Sequence, residues 1–221
     1  MMYQPYQKNL AVQSIYSGWR HYQVNGSDYS PEGKIFEVSV QESKCWLLEA
    51  SKLYSRIALK ECLIAGILCN NSYLENREGR WIVIGDPSEG ASIAAGSKAK
   101  LNQSHLRQLK PKLDTLPFSY KFQYMATLHQ DFNGKTIYLK GSLKTVLSCT
   151  QQMLDCSGEV IPLNSTLIKL EAQSMKKEGL KVIAFAKKLV SEETVSLERA
   201  ELKNGFIFLG LQGMYCSSLI Y

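Results

Sequence analysis

The dipeptide Asn133-Gly134 constrains this chain more than any other local feature. Asn and Gly reach positive φ at the lowest cost, and a two-residue hairpin turn requires that conformation. Strand-forming text stands on both sides, PFSYKFQYMATLH (117–129) before the pair and KTIYLKG (135–141) after it. The spacing predicts an antiparallel hairpin. A sheet made only of parallel βαβ crossovers does not accommodate one.

The rest of the chain mixes the two periodicities. LAVQSIY (10–16) and WRHYQV (19–24), separated by little more than Gly18, predict another antiparallel pair, and IFEVSV (35–40) a further short strand. From Cys45 to Cys69 apolar residues recur at helical steps: Trp46, Ala50, Leu53 and Ile57, then Leu63, Ile67 and Leu68. Asn70-Asn71 ends that helix. RWIVIG (80–85) reads as a buried strand. Asp86 follows as a helix cap, and Glu89 sits in the first turn, where its charge meets the helix dipole. Leu101 to Lys112 is basic helix plus loop. Residues 142–154 and Ser165–Glu178 predict helices, the second stopped by Gly179. KVIAFAKKL (181–189) and FIFLGL (206–211) predict strands. Hairpins interleaved with helices point to an α+β fold: a mostly antiparallel twisted sheet flanked by helices.

Composition narrows the function. The chain has 221 residues, 45% apolar and 21% charged, as expected of a globular chain of one or two domains. Its net charge of +6 favours anionic partners without naming one. The run Cys62–Cys69 is far shorter than the ~18 apolar residues of a membrane span, and the N-terminus has no apolar signal core, so the expected address is cytoplasmic, without membrane insertion. Six cysteines form no Cys-x-x-Cys pair and three histidines are scattered, so no metal site is expected. GASIAAGSK (90–98) has the wrong spacing for a P-loop, and no nucleophile elbow or zinc-protease motif is present. Spacing assembles no catalytic centre.

Four segments remain: GDPSEGA (85–91), PFSYKFQYMA (117–126), YLKGSLKTVL (138–147) and EGLKVIAFA (178–186). In this order they resemble the nucleotide-binding (N) domain of P-type cation-transporting ATPases, most closely the calcium-pump-like branch. IAGILCNN (64–71) is similar to the helix before the first motif of that family, and GFIFLGLQGM (205–214) to the strand that re-enters its phosphorylation domain. The resemblance spans about residues 10–214. It implies residues 1–16 as the edge of the hinge and phosphorylation domain, 17–204 as the nucleotide-binding domain, and 205–221 as the re-entry strand.

The resemblance also implies an ATP site. Phe118 would stack on adenine, a contact contributing roughly 1–3 kcal/mol. Glu89 would accept from the adenine amino group, and Lys140 would flank the ring and reach the phosphates. Gly141 would admit close backbone approach, Lys181 would contact the phosphates, and Met125 would line the adenine slot. Mg2+ would arrive only with the nucleotide. The partners implied are the phosphorylation and membrane domains of an intact pump, with no nucleic acid.

The departures from the family pattern matter equally. The Asp-Lys-Thr-Gly-Thr motif that carries the phosphorylated aspartate is missing from these 221 residues, as is Gly-Asp-Gly-Val-Asn-Asp. This chain alone is therefore expected to bind ATP without turning it over, at about 4 kcal/mol net, a dissociation constant near ~1 mM. Gln123 replaces the lysine that the family often places five residues after the Phe. The alternatives are an interaction module pairing through an exposed terminal strand, Phe206 to Leu211, and a nucleic-acid binder using Lys98, Lys100, Arg107, Lys110 and Lys112.

Overall fold

The computed structural model describes residues 9–26, 28–39, 44–132 and 134–217. The strands are β1 (Asn9–Ser17), β2 (Arg20–Val24), β3 (Ile35–Ser39), β4 (Lys44–Leu47), β5 (Tyr73–Arg77), β6 (Arg80–Ile84), β7 (Lys112–Ser119), β8 (Tyr124–Asp131), β9 (Gly134–Gly141), β10 (Thr150–Leu154), β11 (Val160–Pro162), β12 (Lys181–Val190) and β13 (Phe206–Ser217). The helices are α1 (Ala50–Leu53), α2 (Ile57–Leu68), α3 (Pro87–Lys98), α4 (Gln103–Leu109), α5 (Leu143–Cys149) and α6 (Ser165–Lys177).

The main sheet runs β4-β3-β2-β1-β13-β12-β9-β8-β7, with β10 and β11 appended and β5-β6 as a separate ribbon. All these pairs are antiparallel except β10 with β13. This is the α+β fold, mostly antiparallel, that the hairpins require. Both faces of the sheet are covered. Along β12, Phe185 turns toward α2, while Ala184 and Ala186 turn toward α5 and α6. Nine of the twelve α2 residues are buried, because the helix lies between the sheet and α3. Small residues permit that fit: a Cβ on Gly66 would stand 3.1 Å from the Ser92 side chain, and one on Gly96 would stand 2.4 Å from Ile67.

Several sequence readings are corrected. β13 is not exposed. It lies between β1 and β12, and Phe206, Phe208, Leu209 and Leu211 are at most 1% exposed, so it offers no free edge for an interaction module. Trp19 is not in a strand. It shares a two-residue turn with Gly18, at φ of 63° and 58°, closed by the pair Ser17↔Arg20. Trp46 lies on β4, so the helical region begins at Ala50, with α2 from Ile57. The 117–129 segment is two strands, broken at 120–123 by the turn that closes Ser119↔Tyr124. The helix expected over 142–154 ends at Cys149, where Thr150 leaves it to pair with Phe206 on β13. The Asn133-Gly134 hairpin is present as β8–β9. Its last pair is Asp131↔Gly134, however, so Gly134, at φ 123°, already stands in the strand. Asn133 itself, Val40 and the ends 1–8 and 218–221 lie outside the described residues.

The basic residues are placed unequally: Lys100 and Lys112 are exposed, Arg107 and Lys110 half-buried, and Lys98 buried. Lys98 is 5% exposed, and its Nζ donates to Asn25 O (2.8 Å). Arg107 and Lys112 also turn onto the chain's own carbonyls.

Candidate functional site

The site forms where the start of α3 meets the loop after α2 and the β8–β9 pair. Asp86 caps α3: its carboxylate accepts from Ser88 N (2.8 Å) and Glu89 N (3.2 Å), and Pro87 occupies the first helical position. The cap satisfies two amides that the helix itself leaves open and fixes where Glu89 stands. Burial pushes the Asp86 carboxyl up. Its hydrogen bonds from Ser88 and Glu89, with the charge of Lys181, outweigh that and leave it below the ordinary aspartate value.

Glu89 is the centre of the arrangement. Its Oε1 accepts from Lys140 Nζ (2.6 Å), and its Oε2 accepts from Ser72 Oγ (2.6 Å) and Asn71 N (2.9 Å). The Glu89 and Lys140 side chains are only 11% and 13% exposed. Burial raises the Glu89 pKa. The Lys140 charge and the bonds from Lys140, Ser72 and Asn71 together exceed that effect, so the group is held below the usual glutamate range and stays ionised. Behind it, Lys112 Nζ donates to Asn70 O (3.1 Å) and Asn71 Oδ1 (2.6 Å), and Arg107 donates to Ser72 O (2.8 Å). Burial, then the charge of Arg107, lowers the Lys112 pKa. Lys140 thus contacts the Glu89 carboxylate, while Arg107 and Lys112 act on it through their charge.

The residues expected from sequence are placed unequally. Glu89, Lys140 and Met125 come together: Met125 pairs with Lys140 across β8–β9. Met125 is 1% exposed and belongs to the core under α2. Gly141 follows on β9. A Cβ there would stand 2.4 Å from Gln123 O, so the glycine admits the β7–β8 turn, whose Gln123 O accepts from Ser142 N (2.9 Å). Phe118 stands near the end of β7, 51% exposed, edge-on to Tyr120 at 5.4 Å. Lys181, exposed, opens β12 opposite Met214, close enough for its charge to act on Asp86. Gln123 sits at φ 56°, in the left-handed region.

Sequence reasoning missed Asn71 and Ser72 here, and placed Arg107 and Lys112 only in a basic stretch. The available signal was a polar triplet, Asn70-Asn71-Ser72, directly after an apolar helix. Among the described residues no group of three or more His, Cys, Asp or Glu is placed to hold a metal ion, and no helix is long and apolar enough to cross a membrane.

Residues 58–215 match the family described as P-type ATPase, cytoplasmic domain N. A cation-transporting ATPase of Synechocystis sp. is 41% identical over 208 residues, which cover 94% of this chain and 22% of that protein. A calcium-transporting ATPase of Bacillus subtilis is 26% identical over 216 residues, covering 94% and 23%. Calcium-transporting ATPase 1 of Saccharomyces cerevisiae is 30% identical over 169 residues, covering 74% and 17%. The chain thus spans about a fifth of the length of these curated relatives. With the match running from α2 into β13, and the motif residues Glu89 and Lys140 joined by the fold, the chain belongs to the P-type ATPase cytoplasmic N-domain family.

Proposed function

We propose that this domain binds ATP weakly and presents it to the rest of a cation pump. The observation that carries the reading is the Lys140–Glu89 pair, an ammonium and an acceptor carboxylate held side by side in a chain of this family. The donor set suits the ligand. Phe118 offers a half-exposed aromatic face for adenine, Glu89 an acceptor for its amino group, and Lys140 and Lys181 positive charge for the phosphates. Met125 backs the Lys140 position from the core, and Gly141 keeps the β7–β8 turn close beside it. Mg2+ enters with the nucleotide, on its phosphates.

One stacked ring and a few partly exposed polar contacts, less the cost of association, amount to about 4 kcal/mol, or ~1 mM. Weak binding suits a carrier domain, because nucleotide must arrive and leave in each cycle. The phosphoryl acceptor, an aspartate, belongs in this reading to a neighbouring phosphorylation domain, joined through the adjacent β1 and β13. The segment described here does not itself turn over ATP.

The test is an ATP titration followed by amide NMR shifts, on the wild type and on Phe118→Ala. Saturable shifts around Glu89, Phe118, Lys140 and Lys181 that are lost in the variant are expected. A dispersed spectrum that ignores several millimolar ATP overturns the reading.

A further inference from the structure

We infer that Ser72 is a positioning residue that fixes the plane in which the Glu89 carboxylate meets an incoming nucleobase, and so sets a preference for an amino-bearing purine over a keto-bearing one. The inference rests on the reading above that Glu89 meets the base. The hydrogen-bond directions at Ser72 are determined by its partners. Its Oγ accepts from Asp86 N at 2.8 Å, so its single proton is left for Glu89 Oε2 at 2.6 Å. Asn71 N donates to that same oxygen at 2.9 Å. With two donors, Oε2 is saturated. Oε1 holds only Lys140 at 2.6 Å and keeps a lone pair for a ligand.

Ser72 is itself held independently of any ligand. Its N–H donates to Asn70 Oδ1 (2.7 Å), and its carbonyl accepts from Gln103 Nε2 (3.0 Å) and Arg107 Nη2 (2.8 Å) of α4. The residue is 1% exposed. A Cβ on Gly85 would stand 2.2 Å from its hydroxyl, so that glycine, at φ 123°, makes room for the arrangement. Without the hydroxyl, Oε2 keeps only the Asn71 amide, and the carboxylate plane is held less tightly about its broad terminal torsion. An oriented carboxylate accepts from a 6-amino group, whereas a 6-keto group presents an acceptor to an acceptor and is repelled.

The experiment titrates ATP, ITP and inorganic tripolyphosphate into the wild type, Ser72→Ala and Ser72→Thr, with amide NMR and thermal melts. The wild type is expected to prefer ATP over ITP by about tenfold, the scale of one hydrogen bond to a charged group. Ser72→Ala brings that preference near parity and leaves the tripolyphosphate midpoint unchanged, while Ser72→Thr, which keeps the hydroxyl, retains it. In Ser72→Ala the carboxyl 13C titration of Glu89 moves upward, a change that loss of packing alone does not produce. Should Ser72→Ala not fold, the wild type still decides. Its Asn71 and Asp86 amides shift with ATP and stay in place with ITP at equal occupancy. A Ser72→Ala protein that keeps the ATP preference, or equal wild-type responses to ATP and ITP, overturns the positioning role and leaves ATP binding intact. A wild type with no saturable ATP response overturns both.

Discussion

The ammonium of Lys140 lies 2.6 Å from the carboxylate of Glu89, two residues 51 positions apart in sequence. β9 delivers one and the first turn of α3 the other, and their charges are largely shielded from solvent. Such a pair costs desolvation on both sides, so removing one partner leaves a charge with its cost unmet.

Lys140→Met is therefore expected to destabilise the domain by about 3 kcal/mol, measured by urea unfolding. Glu89→Gln placed on top of it recovers part of that loss, because no orphaned charge remains. Equal and additive losses in the double-mutant cycle would show that the pair is not coupled.

His129, on β8, is 1% exposed, with Nδ1 2.9 Å from Lys110 O. Burial, aided by the charges of Lys112 and Lys110, lowers its pKa from 6.5 to about 4. The folded state thus takes up its proton later than the unfolded state. The contribution is complete above pH 6.5 and is lost as pH falls toward 4. Relative to His129→Gln, the wild type is expected to lose about 3 kcal/mol across that window. Unfolding curves at a series of pH values measure the difference. A parallel pH dependence in both proteins would exclude the imidazole as its source. Glu89, whose pKa is lowered, acts in the window below the ordinary glutamate value and makes the folded state less stable as pH falls through its own.

Gly141→Ala is expected to cost about 2 kcal/mol, because the new methyl meets backbone, which moves less readily than a side chain. The contact is Gln123 O at 2.4 Å. Calorimetric melting measures it, and the amide of Ser142, bonded to that same oxygen, reports the displacement.

Phe118 and Met125 separate under truncation. Phe118→Ala changes stability by less than about 0.5 kcal/mol, since half the ring is already in water. Met125→Ala costs about 3 kcal/mol, since its side chain fills the core between α2 and the sheet. Equal effects on the two melting temperatures would contradict these placements.

Much of the fold follows from local chemistry. The Asn-Gly hairpin, the Asp86 cap, the stop at Asn70-Asn71 and the apolar periodicity of α2 each rest on residues within a few positions of one another, so the α+β class and the antiparallel sheet are legible in the chain itself. The order of motifs also singles out Glu89 and Lys140 as candidates without showing that they touch. The errors fall where tertiary contact overrides local preference. Residues 150–154 read as helix and become β10, because a place beside β13 is open to them. Phe206–Leu211 reads as an unpaired end and is buried, because β1 and β12 cover it from distant parts of the chain.

The sequence by itself determined most of the strands and helices, and which side chains carry charge, an acceptor or an aromatic face, since those properties are local. Only the tertiary structure decided that Ser72 and Asn71 hold one oxygen of Glu89 while Lys140 takes the other, and that Gly141 serves the chain's own turn. Those relations depend on directions and distances between segments far apart in sequence. Hydrogen bonding and close packing set them once the sheet has brought the segments together.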